Sequence, residues 1–138
     1  MKRIIPALLL LLLASCSKES ITAPKATNQA FAANTAVSYK DNSISVVDFK
    51  AQSANSDIEV TFTTLYEKNI VKLEILKGLT ASNLCSIYKQ EVSANSYSAV
   101  KYSINDADAG KTSAVYYMVK YTLADGNWGY TPVFKLSL

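Results

Sequence analysis

Asp106 and Asp108, separated by one residue and flanked by Asn105 and Gly110, place several oxygen donors close together in this 138-residue chain. Oxygen ligands at such spacing suit a hard cation such as calcium. A complete calcium loop would need another acidic or amide donor at position 110 and a downstream glutamate, and neither is there. The expectation is therefore a tight interstrand turn without cofactor, in which Asp and Asn side chains satisfy local backbone donors and Gly110 takes a positive φ. The same two carboxylates are the closest pair for acid-base work. They have no helpers: the chain contains no histidine, so the usual general base, the relay of a hydrolase triad and the commonest metal ligand are missing. Glu67 and Asn69 read as hydrogen-bond partners bracing a loop, and no glycine-rich nucleotide loop occurs. Nucleophile, base and orienting group cannot be assembled from these residues, which points away from an enzyme.

The remaining reactive side chains are two cysteines, Cys16 and Cys85. Leu13-Ala14-Ser15-Cys16 follows an unbroken apolar run and resembles a bacterial lipobox. In that motif small residues let a signal peptidase bind extended backbone, and the cysteine thiol receives a diacylglyceryl group before cleavage. Lys2 and Arg3 supply the charged start of a secretory signal, and residues 4–14 its apolar stretch. Those eleven residues would reach about 16 Å as a helix against a hydrocarbon core of roughly 30 Å, too short to span it. The expected division is a lipoprotein signal over residues 1–15 and a mature chain lipidated at Cys16. Ser17 follows the cysteine where an aspartate would favour retention at the inner membrane, so an outer-membrane lipoprotein is expected. The pair Lys18-Glu19 falls short of the acidic run that marks surface export.

Loss of Lys2 and Arg3 takes the basic count from 14 to 12 against 11 acidic residues, a mature net charge of +1. Arg3 is the only arginine, so the mature chain has no guanidinium fork for phosphate, and its lysines are scattered along the sequence; nucleic acid is not an expected partner. With Cys16 consumed by lipid, no intrachain disulfide is expected, and Cys85 reads as a small apolar residue between Leu84 and Ile87.

Residues 17–43 are rich in Ala, Ser, Thr, Asn, Gln and Lys and lack apolar periodicity, the composition of a tether. Flexible, this stretch has a root-mean-square span of about 30 Å. Phe31, Val37 and Tyr39 allow the alternative that part of it adds an edge strand to the domain. From there the period switches to two, as half-buried strands require. Val47, Phe49 and Ala51 alternate with polar residues, as do Ile58, Val60 and Phe62, then Val71, Leu73 and Ile75. The longest such run is Val115, Tyr117, Val119, Tyr121 and Leu123, which should be a central strand. With residues 88–92, 102–104 and 134–138, about seven strands emerge, separated by turn signals at 55–57, 77–78, 95–96, 106–110 and 125–127. The pattern predicts an all-β fold, an immunoglobulin-like or fibronectin type III-like antiparallel sandwich over residues 44–138. Residues 80–86 could form one helical turn.

Val47-Asp48-Phe49, residues 58–64, Glu67, Asn69, Leu73-Glu74-Ile75, residues 102–106, Tyr116-Tyr117 and Asp125-Gly126 together resemble the fibronectin type III-like domains of secreted and surface proteins of Bacteroidota. The resemblance covers nearly the whole expected domain. Phe62 stands where that pattern has tryptophan, which should leave a slightly smaller apolar core, and Met118 stands where it has arginine. The sorting domain that often follows such modules is not seen after Leu138, so the lipoprotein route is expected to replace secretion by a carboxyl-terminal signal. Domains of this kind are generally noncatalytic spacers or binding modules.

Tyr117 and Tyr121 are expected in the core by parity, with hydroxyls emerging at the rim. Trp128 and Tyr130 lie in or beside the last hairpin. If exposed, they could stack on a sugar or anchor a protein contact; if Trp128 folds back across the sandwich end, it is packing. The expected function is a lipid-anchored binding or adhesion module of the cell envelope that holds an envelope protein or a glycan. The alternative is a structural accessory subunit of an outer-membrane assembly, pairing by β-augmentation along residues 43–50 or 135–138.

Overall fold

The computed structural model describes residues 37–54, 57–93, 95–107 and 114–137, and these form two antiparallel sheets packed face to face. The first sheet contains β1 (Val37–Lys40), β2 (Ile44–Ala54), β3 (Asp57–Lys68), β6 (Asn95–Ser96) and β7 (Val100–Asp106), in the order β1-β2-β3 with β6 and β7 both on the far side of β3. The second contains β4 (Ile70–Thr80), β5 (Asn83–Glu91), β8 (Ala114–Leu123), β9 (Trp128–Tyr130) and β10 (Phe134–Ser137), in the order β5-β4-β8-β10, with β9 also on β8. The chain switches sheets between β3 and β4, where Asn69 takes a φ of 58°, a left-handed conformation that asparagine tolerates better than most residues. The architecture is that of an all-β sandwich consistent with an immunoglobulin-like or fibronectin type III-like domain.

Alternation, interrupted by bulges at Asp48 in β2 and after Ile70 in β4 that turn Val46 and Ile70 inward in place of the expected Val47 and Val71, sets which side chains meet between the sheets. Ile44, Val46, Phe49, Ala51, Ile58, Val60, Phe62, Tyr102 and Ile104 face inward from the first sheet, and Ile70, Leu73, Ile75, Val115, Tyr117, Val119, Tyr121 and Phe134 from the second. Four aromatic rings form a continuous stack through this core. Phe134 lies 3.9 Å from Phe49, Phe49 lies 5.9 Å from Phe62, and Phe62 lies 4.8 Å from Tyr102, with interplanar angles of 13 to 17°. Phe62 is thus a ring within a stack and fully buried. The long central strand expected at residues 115–123 is β8, flanked by β4 on one side and by β9 and β10 on the other.

Among the described residues there are ten strands where the sequence pattern predicts about seven. The three additions are short: β6 has two residues, β9 three and β1 four, too few for a period-two pattern to register. Of the two readings open for Val37 and Tyr39, the structure takes the edge strand, with Tyr39 opposite Val46 and Lys40 opposite Ser45. Residues 80–86 form a tight turn and the start of β5 instead of a helical turn. The cause is Gly78. A Cβ there would sit 2.1 Å from the Asn83 carbonyl oxygen and 2.9 Å from Leu84, so the missing side chain lets β5 fold back closely against β4. The end of the tether reading, residues 41–43, is the turn between β1 and β2, while Cys16 and residues 17–36 lie outside the described residues.

Candidate functional site

Three carboxylates that could do chemistry are instead taken up by tyrosines at the two ends of the sandwich. Asp106, the last residue of β7, is buried, and its Oδ2 accepts a 2.7 Å hydrogen bond from the Tyr117 hydroxyl while its Oδ1 accepts one of 2.7 Å from Lys77 Nζ. The expected place for this aspartate is a tight interstrand turn, its side chain on local backbone donors. Its parity on β7, the same as that of Tyr102 and Ile104, turns it inward. Asp108 and Gly110, the other candidates for the oxygen-rich loop, lie outside the described residues. At the opposite end of β3, Glu67 is 2% exposed and accepts from Thr64 Oγ1 at 2.7 Å and from the Tyr102 hydroxyl at 2.6 Å. It ties β7 to β3 where a loop-bracing role is expected; Asn69, at the β3–β4 connection, does hold loops: its amide donates to Asn95 and its carbonyl accepts from Ala124.

The third carboxylate, Asp41, was not singled out by sequence. Its Oδ1 accepts from the Ser43 and Ile44 amides at 2.7 and 2.8 Å, and its Oδ2 from the hydroxyls of Tyr39 and Tyr121. The Tyr66 hydroxyl donates to its backbone carbonyl. Burial raises the Asp41 pKa, but the hydrogen bonds from Tyr121, the two amides and Tyr39 outweigh it and hold the carboxyl below its ordinary range. Tyr102, Tyr117 and Tyr121 are each held well above the ordinary phenol value, first by burial and then by the carboxylate each one faces. The hydroxyls of Tyr117 and Tyr121, expected at the rim, each end on an acid at one end of the sandwich. Asp106 and Asp41 thereby tie one sheet to the other, while Glu67 ties β7 to β3 within the first sheet.

The outer face of the second sheet has a different character. Register brings Glu91, Lys72, Thr122 and Trp128 into one row across β5, β4, β8 and β9, and Lys89, Glu74, Lys120 and Tyr130 into the next. Glu74 is 3% exposed and ion-paired to Lys72 at 3.2 Å and Lys89 at 3.4 Å, with Ser86 Oγ donating at 3.2 Å. Burial alone would raise its pKa; the hydrogen bond from Lys72 and the charges of Lys72, Lys89 and Lys120 bring it below the ordinary value. Trp128 is 53% exposed, tilted 57° against Tyr130 with ring centroids 5.1 Å apart, and Lys120 Nζ lies 5.7 Å from its ring. Below these rows Leu76, Leu84 and Met118 form a small second cluster with Tyr116, Tyr130 and Val133 packed against it, and Lys135 Nζ lies over the Tyr116 ring. Met118 thus makes an apolar contact on this face.

Gly129 makes the placement of Trp128 possible. A Cβ at 129 would lie 2.2 Å from the Tyr121 hydroxyl oxygen and 2.3 Å from its ring, so β9 can cross this tyrosine only at a glycine. Trp128 and Tyr130 flank that crossing and are fixed by its register. Asp125 shapes the preceding turn by accepting from the Asn127 amide at 2.9 Å, and Gly126 takes a φ of 86°.

Cys85 is half-buried in β5, next to the buried Leu84. Among the described residues no three His, Cys, Asp or Glu side chains are grouped to hold a metal ion, and no helix is long and apolar enough to cross a membrane. Comparison with protein-family models, characterised proteins and solved structures finds no match.

Proposed function

We propose that this chain is a lipid-anchored, noncatalytic binding module of a bacterial cell envelope, similar to the fibronectin type III-like domains of Bacteroidota, joined through lipid on Cys16 to the outer membrane and contacting an envelope protein or glycan through Trp128 and Tyr130. The observation that carries the contact is the state of Trp128: a large ring more than half exposed, yet held on a paired strand beside a second ring. Ordering such a ring in advance removes part of the entropy cost of binding. The lipobox-like motif and the tether composition support the anchor.

Two measurements test this. Trp128→Ala should abolish capture of the ligand while lowering the melting temperature by only a few degrees, since about half of the ring has no contact to lose; a large fall in melting temperature would assign Trp128 to packing. Intact mass of the membrane-extracted protein reports on Cys16. The chain has two cysteines, and a thioether to lipid and a disulfide cannot share one sulfur. A diacylglyceryl mass on the Cys16 peptide supports the anchor; an unmodified Cys16 linked to Cys85 refutes it.

One observation favours an accessory-subunit reading. The pairing of β1 with β2 ends at Phe49, and among the described residues no strand continues along that edge over residues 50–54, the geometry that β-augmentation uses. In-cell crosslinking separates the two: one dominant envelope protein at fixed stoichiometry identifies the subunit.

A further inference from the structure

The outer face of the second sheet carries four lysines, Lys72, Lys89, Lys120 and Lys135, and two glutamates, Glu74 and Glu91. Glu74 is the acceptor of both described ion pairs there, so one buried carboxylate answers two lysine charges. Lys89 keeps a side-chain exposure of 64% and Lys72 of 32%. The face is therefore cationic in a chain whose mature net charge is close to zero; three of its four lysines and both glutamates, an excess of one positive charge, lie in the same two rows as the exposed Trp128 and the half-buried Tyr130, and Lys135 adds the other beside Tyr116. Resting on the binding-module reading above, we propose that this face binds an acidic polysaccharide, with a sugar ring stacked on Trp128 and the carboxylates of successive residues facing Lys72 and Lys89.

Three features select that occupant over an acidic protein. A protein hot spot needs an anchor ring enclosed by contacts that exclude water, whereas the row of Trp128 consists of Thr122, Lys72 and Glu91. Covering that row with a dry interface would desolvate the lysine and glutamate charges at a cost that pairing seldom repays, while a hydrated glycan leaves them in contact with water. The cations are lysines and the mature chain has no arginine; point charges without a planar fork suit a repeating acidic chain in several registers better than one fixed carboxylate. The hydroxyl groups of Thr122 and Tyr130 add donors and acceptors of the type sugars use.

Titration calorimetry of the purified protein in detergent with oligogalacturonate, and with the same oligomer fully methyl-esterified, tests the assignment. The acidic form should bind about fivefold more tightly for each lysine engaged, the scale of one screened ion pair. Its advantage should vanish in ~1 M salt, where the screening length is roughly 3 Å. Lys89→Ala should reduce the advantage and leave the ester unchanged. Trp128→Ala should remove binding of both forms and Trp128→Phe should restore part of it, with melting temperature showing that each variant folds. Equal binding of the two forms, still lost in Trp128→Ala, overturns the acidic specificity and leaves a glycan site. Binding of a glutamate-rich peptide with the same Trp128 dependence, and of neither oligomer, overturns the polysaccharide and makes the occupant a protein. Binding of none of the three ligands overturns both this proposal and the use of Trp128 as a contact.

Discussion

Alkaline titration offers a direct test of the acid-tyrosine pairs, because Tyr102, Tyr117 and Tyr121 are buried with their hydroxyls on Glu67, Asp106 and Asp41. An unfolded tyrosine loses its proton near its ordinary pKa of about 10. In the fold these three keep theirs to higher pH, since a phenolate would be both desolvated and set against a carboxylate. Their stabilising contribution is complete below that ordinary value and is lost as the pH rises toward their folded values. Each proton held by the native state and released by the unfolded one costs about 1.4 kcal/mol per pH unit, so the three together cost about 4 kcal/mol per unit. A domain stable by ~5 kcal/mol would then unfold slightly above pH 11, and one stable by ~8 kcal/mol near pH 12. The assay is a parallel titration of tyrosinate absorbance and far-ultraviolet circular dichroism. Tyr102, Tyr117 and Tyr121, together with Tyr39, which burial and Asp41 also raise, should ionise late, the buried three in the same step that removes the sheet signal, and Tyr117→Phe should shift that step upward in pH relative to the stability the variant starts with. Complete ionisation of all nine tyrosines with the sheet signal intact would refute the reasoning.

Other perturbations reach other parts of the framework. Asp106→Ala leaves Lys77 facing the end of the sandwich without its 2.7 Å carboxylate and Tyr117 without its acceptor; a loss of about 3 to 5 kcal/mol is expected in urea unfolding, and Lys77→Met in the same background should recover part of it. Gly129→Ala must displace Tyr121 or the β9 strand, costing about 1 to 3 kcal/mol; a crystal structure of the variant should show Trp128 moved. On the acid side, Asp41 and Glu74 are both held below their ordinary values. Stability should therefore be full above roughly pH 4 and fall as the pH drops through their folded values, and Asp41→Asn should flatten that decline in a series of melting curves.

The long strands were legible because burial enforces alternation. The inward set on β8, Val115, Tyr117, Val119 and Tyr121, follows from parity alone, as do Ile58, Val60 and Phe62 on β3. Short strands were not legible, because a four-residue β1 offers a single alternation and gains its place from Asp41 and its tyrosines, contacts distant in sequence. The inward turn of Asp106 was readable from its parity with Tyr102 and Ile104, but a carboxylate beside Asn105 and Asp108 invited a loop reading. The two glutamate environments contrast in the same way. Glu74 sits at an outward position by alternation with Leu73 and Ile75, yet nothing local in sequence reveals that register brings Lys89 and Lys120 to its two sides. Trp128 was visible as a candidate, and its exposure depends on Gly129 crossing Tyr121.

That crossing also determines how the domain meets mechanical load. A pull on β1 at Val37, the open end of the β1-β2 hairpin, peels β1 from β2 one hydrogen bond at a time, the weakest direction in which a ladder can be loaded. Peeling stops at Asp41, whose side chain and carbonyl are tied to Tyr39, Tyr66 and Tyr121. Beyond that point the force passes through the Tyr121 side chain into β8 and the underside of Gly129. Slack is thus spent first in a strand that carries no contact, and the ring beside Gly129 is strained only after the Asp41 knot is reached. On the function proposed above, a domain held at one end and gripping at the other would yield by a few residues of extension before its grip is disturbed.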